Sequence, residues 1–285
     1  MKLRHRQREA LTGLSFIGIW IIGFLVLTCY PLIRTLMFSF SDVRITADGI
    51  KTEYVGWQNY NEALFLDVQF GDILVNYMLE TMLIVPVIVV FALIVALLLN
   101  VSLRGRGVFR TIYFLPVIIT SGPVVKQLMD QGATTLPGIQ DVLEASRLQE
   151  QFPGVLADLI TFLLSSFITI LWFSGVQMLI FLAGLQKLDS SLYEAASIDG
   201  ASKWESFWKL TLPLLNPMIV VNIVYTVIMQ SIFALNPVIE YIQDAMYDPA
   251  LGMGNSAAMA WLYFVAMLLM LAVFVFLVRQ RERTR

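Results

Sequence analysis

Residues 185–217 read LQKLDSSLYEAASIDGASKWESFWKLTLPLLNP, the most polar run in the second half of the chain, set between two long apolar stretches. The residue types in it nonetheless specify order. Ser191 and Glu194 have the spacing of a capping box, as do Ser202 and Glu205. In each pair a hydroxyl and a carboxylate can satisfy N–H groups that a helix start leaves open. Between the pairs, Asp199-Gly200 offers a position where the backbone can take positive φ. Pro213 disfavours helix at Leu212, and Pro217 suits the first turn of the helix that follows. The stretch therefore predicts two short helices meeting at a sharp turn, held on a membrane surface between two spans.

Composition demands that membrane. Of 285 residues, 58% are hydrophobic and the mean hydropathy is +0.75, whereas soluble domains average roughly 45–50% apolar residues. One cysteine, Cys29, and one histidine, His5, leave no disulfide framework and no cluster of metal ligands. No low-complexity tract or run of like charge reads as a disordered tail. Lys2, Arg4, Arg6 and Arg8 precede an apolar run in the manner of a signal peptide. That run continues to about Tyr30 and has no small-residue cleavage site, and Thr28, Tyr30 and Pro31 are poor flanks for a lipoprotein cysteine at Cys29. It is expected to remain as a span.

Spans of roughly 20 apolar residues are predicted at 11–32, 77–99, 108–129, 159–182, 214–235 and 257–278. Pro86, Pro116 and Pro123 fall inside them, which helices in a bilayer tolerate when neighbours satisfy the freed carbonyls. With the N-terminus placed in the cytoplasm, the head, the 100–110 loop, the 185–213 loop and the tail hold 14 of the 19 basic residues but only 6 of the 21 acidic ones. Basic residues mark the cytoplasmic side, so both termini and the 185–213 loop are expected there.

The motif then acquires a counterpart. Glu194-Ala195-Ala196, Gly200 four residues beyond Ala196, and Leu212-Pro213 resemble the EAA loop of permease subunits in bacterial ATP-driven, binding-protein-dependent (ABC) importers. The fuller YEAASIDGAS and LTLPLLNP resemble the carbohydrate-uptake branch, of maltose and glycerol-phosphate permease type. Tyr54-Val55-Gly56-Trp57-Gln58-Asn59-Tyr60 resembles the F-x-G-L-x-N-Y segment before that family's second core span. Tyr30-Pro31-Leu32 with Ser39-Phe40 resembles the end of its first span, and Arg110–Pro116 the opening of its third. Three departures stand out. Leu188-Asp189 replaces a common Ile-Pro, so Asp189 or Ser191 caps the first loop helix. Glu80-Thr81-Met82 replaces Asn-Thr-Leu. Asp130-Gln131-Gly132 and Pro137-Gly138 replace a segment rich in Trp and Asn, which weakens any transfer of substrate preference.

The resemblance implies an all-α integral membrane protein of six transmembrane helices with the type I ABC importer permease fold. Residues 1–285 would form a single transmembrane permease domain in the bacterial cytoplasmic (inner) membrane. Implied partners are a second homologous permease forming a heterodimer, two ATPase subunits, an extracytoplasmic solute-binding protein and membrane lipid, with no nucleic acid. The chain is not expected to be an enzyme or to hold a cofactor. It has no P-loop, H-E-x-x-H or G-x-S-x-G motif, so ATP and Mg belong to the partner ATPases.

Two sets of residues carry the expected function. Glu194, Ala195, Ala196, Asp199, Gly200, Leu212 and Pro213 are the coupling set implied by the resemblance: a docking loop that transmits closure of the ATPase as a rigid push. The plainer reading of Glu194 is a capping carboxylate acting near a helix N-terminus. Trp204, Phe207 and Trp208 share one helix face and read best as an interfacial aromatic anchor. Asn222, Thr226 and Gln230 recur every four residues in the fifth span. Ser166, Thr169, Phe173 and Gln177 do much the same in the fourth. Hydroxyls, amides and an aromatic ring suit a sugar. They equally suit hydrogen bonds between helices, worth under about 1 kcal/mol each.

Three alternatives compete. A permease for another polar solute (polyol, glycerol phosphate or modified saccharide) shares every feature above. A secondary carrier would need coupling-ion groups or inverted repeats, and no acid falls near a predicted midplane. Glu80 and Lys126 fall near outer ends and Arg34 lies just past the first span, where snorkelling accommodates them. A non-transporting scaffold would have no use for the ordered 194–213 loop.

Overall fold

The computed structural model describes residues 5–46, 49–100, 107, 108, 111, 127, 154–233, 235–249 and 251–283. Apart from isolated positions, the predicted third span, 108–129, lies outside the described residues, and so do Arg110, Pro116, Pro123, Lys126 and the 130–138 segment.

The described chain is helical with one small sheet. Helix α1 (His5–Phe24) passes through a π turn, Leu25–Cys29, into α2 (Tyr30–Ser39). Strands β1 (Ser41–Thr46) and β2 (Gly49–Tyr54) follow, then α3 (Gln58–Asn61), a second π turn at Glu62–Leu66, and α4 (Val68–Asn100). After the undescribed stretch come α5 (Gly154–Ser165), α6 (Phe167–Leu185), α7 (Ser190–Ile198) and α8 (Lys203–Ser206). A third π turn, Phe207–Thr211, leads into α9 (Leu212–Leu214), then α10 (Asn216–Ser231), α11 (Pro237–Tyr247) and α12 (Gly252–Arg283).

Among the described residues, three apolar stretches are long enough to cross a bilayer unbroken: Ser15–Ser39, Val68–Asn100 and Gly252–Arg279. The first ends later than the predicted 11–32. Pro31 does not stop the helix, because it enters the first turn of α2 directly after the π turn. Pro86 likewise lies inside α4 without ending it. The predicted fourth span, 159–182, is broken at Ser166. There the Ser165 hydroxyl donates to the Phe162 carbonyl at 3.0 Å while the Ser166 N–H donates to the same oxygen at 2.9 Å. Adjacent serines that compete for helix carbonyls in this way bend a helix. The predicted fifth span, 214–235, starts instead at a 62° bend between Lys203–Leu214 and Asn216–Ser231 and ends at Ser231. Taking each bent pair as one crossing gives up to 5 candidate spans among the described residues.

Contacts divide the chain into two compact units, Met1–Val75 with Pro237–Val265 and Asn76–Asn236 with Ala266–Arg285. In the first, β1 and β2 pair antiparallel from Ser41↔Tyr54 to Thr46↔Gly49. The Tyr54–Tyr60 segment fixes this hairpin to the end of α2. Asn59, 6% exposed, donates from Nδ2 to the carbonyls of Ser39 and Ser41, both at 3.0 Å. Tyr60 shares a 2.8 Å hydrogen bond with the Ser39 hydroxyl. The Phe40, Trp57 and Tyr60 rings lie 5.1–5.2 Å apart, and Gly56 turns the chain at φ +63°. Asn255 donates to Glu62 at 3.1 Å. Gly254 lies so close to the Ser41 carbonyl that a Cβ would overlap it.

Asp67 accepts the Phe70 N–H at 2.9 Å and the Tyr241 phenol at 2.8 Å. Desolvation first, then this carboxylate, pushes the Tyr241 phenol up to about 12 from 10.0. A raised phenol pKa means the tie is at full strength below the ordinary value of 10.0 and is lost as pH rises toward about 12.

In the second unit, Ile84, Ile88, Ile170 and Phe173 form a buried cluster with Phe91, Phe162, Met229 and Phe233 against it. The Tyr77 phenol donates to the Gln230 carbonyl at 2.6 Å. Helices α6 and α10 approach closely at Gly184, where a Cβ would stand 2.8 Å from Met218 Cγ; small residues permit such approaches between membrane helices.

Gly254→Ala should destabilise the protein by about 1–3 kcal/mol through overpacking, whereas Gly71→Ala, with open space at its Cβ, should be neutral. Thermal unfolding in detergent distinguishes them. Equal melting temperatures would mean the hairpin does not press on the start of α12.

Candidate functional site

The 185–213 loop is built as two short helices with separately defined ends. Helix α7 is capped by Asp189, whose carboxylate accepts the Ser191 N–H at 2.9 Å. The Ser191–Glu194 capping box is therefore absent. Asp189 takes the cap first and the helix starts at Ser190, which places Glu194 mid-helix. A dipole role at the N-terminus does not apply to it. At the other end, Ala201 N–H bonds to Ala196 O at 2.9 Å and Gly200 N–H to Ser197 O at 3.1 Å, with Gly200 at φ +82°. This is a Schellman closure, which requires a left-handed residue just past the helix.

Helix α8 starts with the predicted capping box: Ser202 Oγ accepts the Glu205 N–H at 3.2 Å while Glu205 accepts the Ser202 N–H at 2.9 Å. The Glu205 carboxyl is held below its ordinary range, first by the Ser202 backbone, then by its hydroxyl and by Lys209. Asp189 is lowered likewise by Ser191, its backbone N–H first. Both caps are present above the ordinary carboxylate pKa and are lost as pH falls through the lowered values.

Pro213 behaves differently from the expectation. The chain stays helical through Leu212, because the π turn has carried the Leu212 N–H to the Phe207 carbonyl. The wider turn sets carbonyls clear of the proline ring that follows. Pro217 occupies the first turn of α10, as predicted.

Glu194, Ala195, Asp199 and Gly200 are exposed, Ala196, Leu212 and Pro213 half-buried. Helix α7 has no buried residue, and Ile198 is 86% exposed. Tyr193, not anticipated from the sequence, shares a 2.8 Å hydrogen bond with Thr211. The aromatic trio packs on itself, with Trp204 5.5 Å from Trp208 and 6.2 Å from Phe207. Phe207 and Trp208 line an apolar groove of about 530 Å³ with Val89, Leu93, Phe181 and Leu277, while Trp204 stays outside it. Two of the three rings thus anchor the loop on its own helices.

The polar residues of the fourth and fifth spans meet only in part. Gln177 donates from Nε2 to Thr226 Oγ1 at 2.9 Å, and Thr226 donates to the Asn222 carbonyl at 2.7 Å. Gln177, Asn222 and Thr226 are 0% exposed and Gln230 5%. Phe173 stacks edge-on to Phe233 at 5.1 Å. Ser166 sits at the break before α6 and Thr169 in its first turn, both half-buried. Gln177 Oε1 and both amide atoms of Asn222 have no hydrogen-bond partner among the described residues.

Residues 65–280 match the model of a family described as the binding-protein-dependent transport system inner membrane component. The chain belongs to this family. It is 34% identical over 239 residues to the probable ABC transporter permease protein YesP of Bacillus subtilis (strain 168), covering 82% of this chain and 73% of that one. It is 32% identical to the lactose transport system permease protein LacF of Rhizobium radiobacter, covering 81% and 74%. A solved bacterial ABC transporter involved in the import of the acidic polysaccharide alginate shares the fold. It has a TM-score of 0.58, 21% identity, and coverage of 98% of this chain and 96% of that one. Membership makes this chain an inner membrane permease component, with chemistry and solute capture belonging to other components of the system.

Thr226→Val should leave the buried Gln177 amide without its acceptor and cost roughly 1–3 kcal/mol, read as a lower melting temperature in detergent. An unchanged melting temperature would mean the α6–α10 crossing does not depend on this bond.

Proposed function

We propose that this chain is one of two permease subunits of an ATP-driven importer that carries a sugar or oligosaccharide across the bacterial cytoplasmic membrane. The observation that carries the reading is the 185–213 loop: capped at the ends of both short helices, with no residue of α7 buried and Glu194, Ala195 and Ile198 exposed. Such a surface suits docking by a partner. Loaded binding protein would engage the outer face, ATP and Mg would close the pair of ATPase subunits, and the loop would turn the spans. Both termini lie in the cytoplasm in this reading, which accords with the distribution of basic residues. The second permease is a homologue, giving a heterodimer.

Glu194, Ala195, Ala196, Asp199, Gly200, Leu212 and Pro213 are assigned to coupling. Small Ala195 and Ala196 allow close approach, and exposed Glu194 is available to a basic group of the ATPase. Ser166, Thr169, Phe173, Gln177, Asn222, Thr226 and Gln230 are assigned to the solute path along α6 and α10. The Gln177 and Asn222 atoms that find no partner among the described residues support hydroxyl-bearing cargo there. A relative named for lactose transport, one named for multiple sugars and one for arabinooligosaccharides favour a saccharide over other polar solutes such as a polyol or glycerol phosphate.

Purification in mild detergent should recover a P-loop ATPase, and Glu194→Arg or Gly200→Leu should reduce that capture at least tenfold while the chain still inserts. A fully transporting Gly200→Leu variant would sink the coupling assignment. A co-purifying binding protein that ignores saccharides and captures another polar solute would overturn the cargo.

A further inference from the structure

Helix α7 is held in an unusual way for an element expected to transmit force. It buries no residue, and only Tyr193 and Ala196 are even half-buried, so packing holds it weakly. Its N-terminus is set by the Asp189 cap and its C-terminus by the Gly200–Ala201 closure. Two end tethers define a line, and a helix held only at its ends can roll about that line. Among the described residues, one side-chain hydrogen bond joins α7 to another element: Tyr193 to Thr211, at 2.8 Å.

The far end of that bond is well founded. Thr211 is 5% exposed and closes the π turn at the root of α9, directly before the bend into α10. Its hydroxyl also donates to the Ser206 carbonyl at 3.4 Å. A threonine has one hydroxyl proton, so whenever that proton is on the Ser206 carbonyl, Tyr193 is the donor in the shorter bond. The chain of bonds runs from the Tyr193 phenol to Thr211 and on to the backbone where α8 enters the π turn.

We infer that Tyr193 is a positioning residue for coupling: its phenol, pinned to Thr211, stops α7 from rolling and makes the docked helix and the root of α10 move as one body. The inference rests on the importer reading above and adds a residue to it. At about 100° per residue, the roll of α7 set at Tyr193 also fixes the direction in which Glu194 points. The bond lies off the helix axis, so it resists the one motion the end caps leave free. Losing it does not remove the docking surface; it lets that surface turn without turning the span. Energy from the partner is then spent on slippage.

The test uses the whole complex, co-purified through this chain and reconstituted in liposomes. The solute is the saccharide its binding protein captures. Two quantities are read: ATPase captured per chain, and solute imported per ATP hydrolysed. Tyr193→Phe and Thr211→Val should capture the ATPase as the unaltered chain does and hydrolyse ATP. Each should import about 2- to 12-fold less solute per ATP, the range spanned by one net hydrogen bond. Thr211→Ser, which keeps the acceptor, should stay within about twofold. The double variant should be no worse than either single one, because both remove the same bond.

An unchanged import ratio in Tyr193→Phe overturns the inference. So does loss of ATPase capture in that variant, which would make the phenol part of the loop's fold. Additive effects in the double variant would show that the two side chains act separately and overturn it as well. Failure of the unaltered chain to recover any ATPase would sink the importer reading itself, and this inference with it.

Discussion

A helix in an apolar medium has to find an internal partner for every backbone N–H and C=O, and proline removes one donor each time it occurs. Two of the three π turns described in this chain answer that constraint in the same way. Leu25–Cys29 ends two residues before Pro31, and Phe207–Thr211 two residues before Pro213. In each, the N–H of the residue before the proline reaches back five positions, Tyr30 to Leu25 and Leu212 to Phe207. The turn widens, the ring is accommodated, and the helix continues instead of stopping.

That device shapes the functional loop. Because the chain does not unwind at Pro213, α8, the π turn and α9 form one short rod, Lys203–Leu214, that meets α10 at 62°. The rod carries Phe207 and Trp208 into the apolar groove and presents Thr211 to Tyr193. Helix α7 hangs from this rod by its Schellman turn and by the phenol. A loop of 29 residues, 185–213, thereby becomes an object with defined orientation without a hydrophobic core of its own.

The same economy appears in the first unit. A two-stranded hairpin alone is marginal in water, and β2 is exposed along its length. Asn59, Tyr60 and Gly254 hold it through the backbone and hydroxyl groups of Ser39 and Ser41. The Tyr54–Tyr60 segment is thus a structural fastening, and the side chains that the sequence pattern singled out there are the ones that make the bonds.

Much of this was legible in residues alone. Hydropathy located the three unbroken spans found among the described residues, because burying backbone in lipid demands long apolar helices. The Ser202–Glu205 box, the positive φ at Gly200 and Pro217 in a first turn are local effects of neighbouring residues, so local sequence was enough. The cap of α7 was open between Asp189 and Ser191 and was settled by where the backbone first turned helical. Glu194 lost its expected place at a helix start for that reason.

Four features belonged to the folded structure. Ser166 breaks a span that looks continuous, since two hydroxyl-bearing residues draw on one carbonyl only in the folded geometry. Pro213 fails to end a helix because of a π turn that no propensity announces. Tyr193 finds Thr211 eighteen positions away, and Gln177 finds Thr226 forty-nine away. Sequence alone determined a membrane protein with an ordered loop, because composition and short-range chemistry carry that much, while the permease reading rested on the resemblance of Glu194-Ala195-Ala196, Gly200 and Leu212-Pro213 to a family motif. Which side chains tie the loop to the spans was decided by contacts between elements distant in the chain, for which spacing along the sequence has no signature.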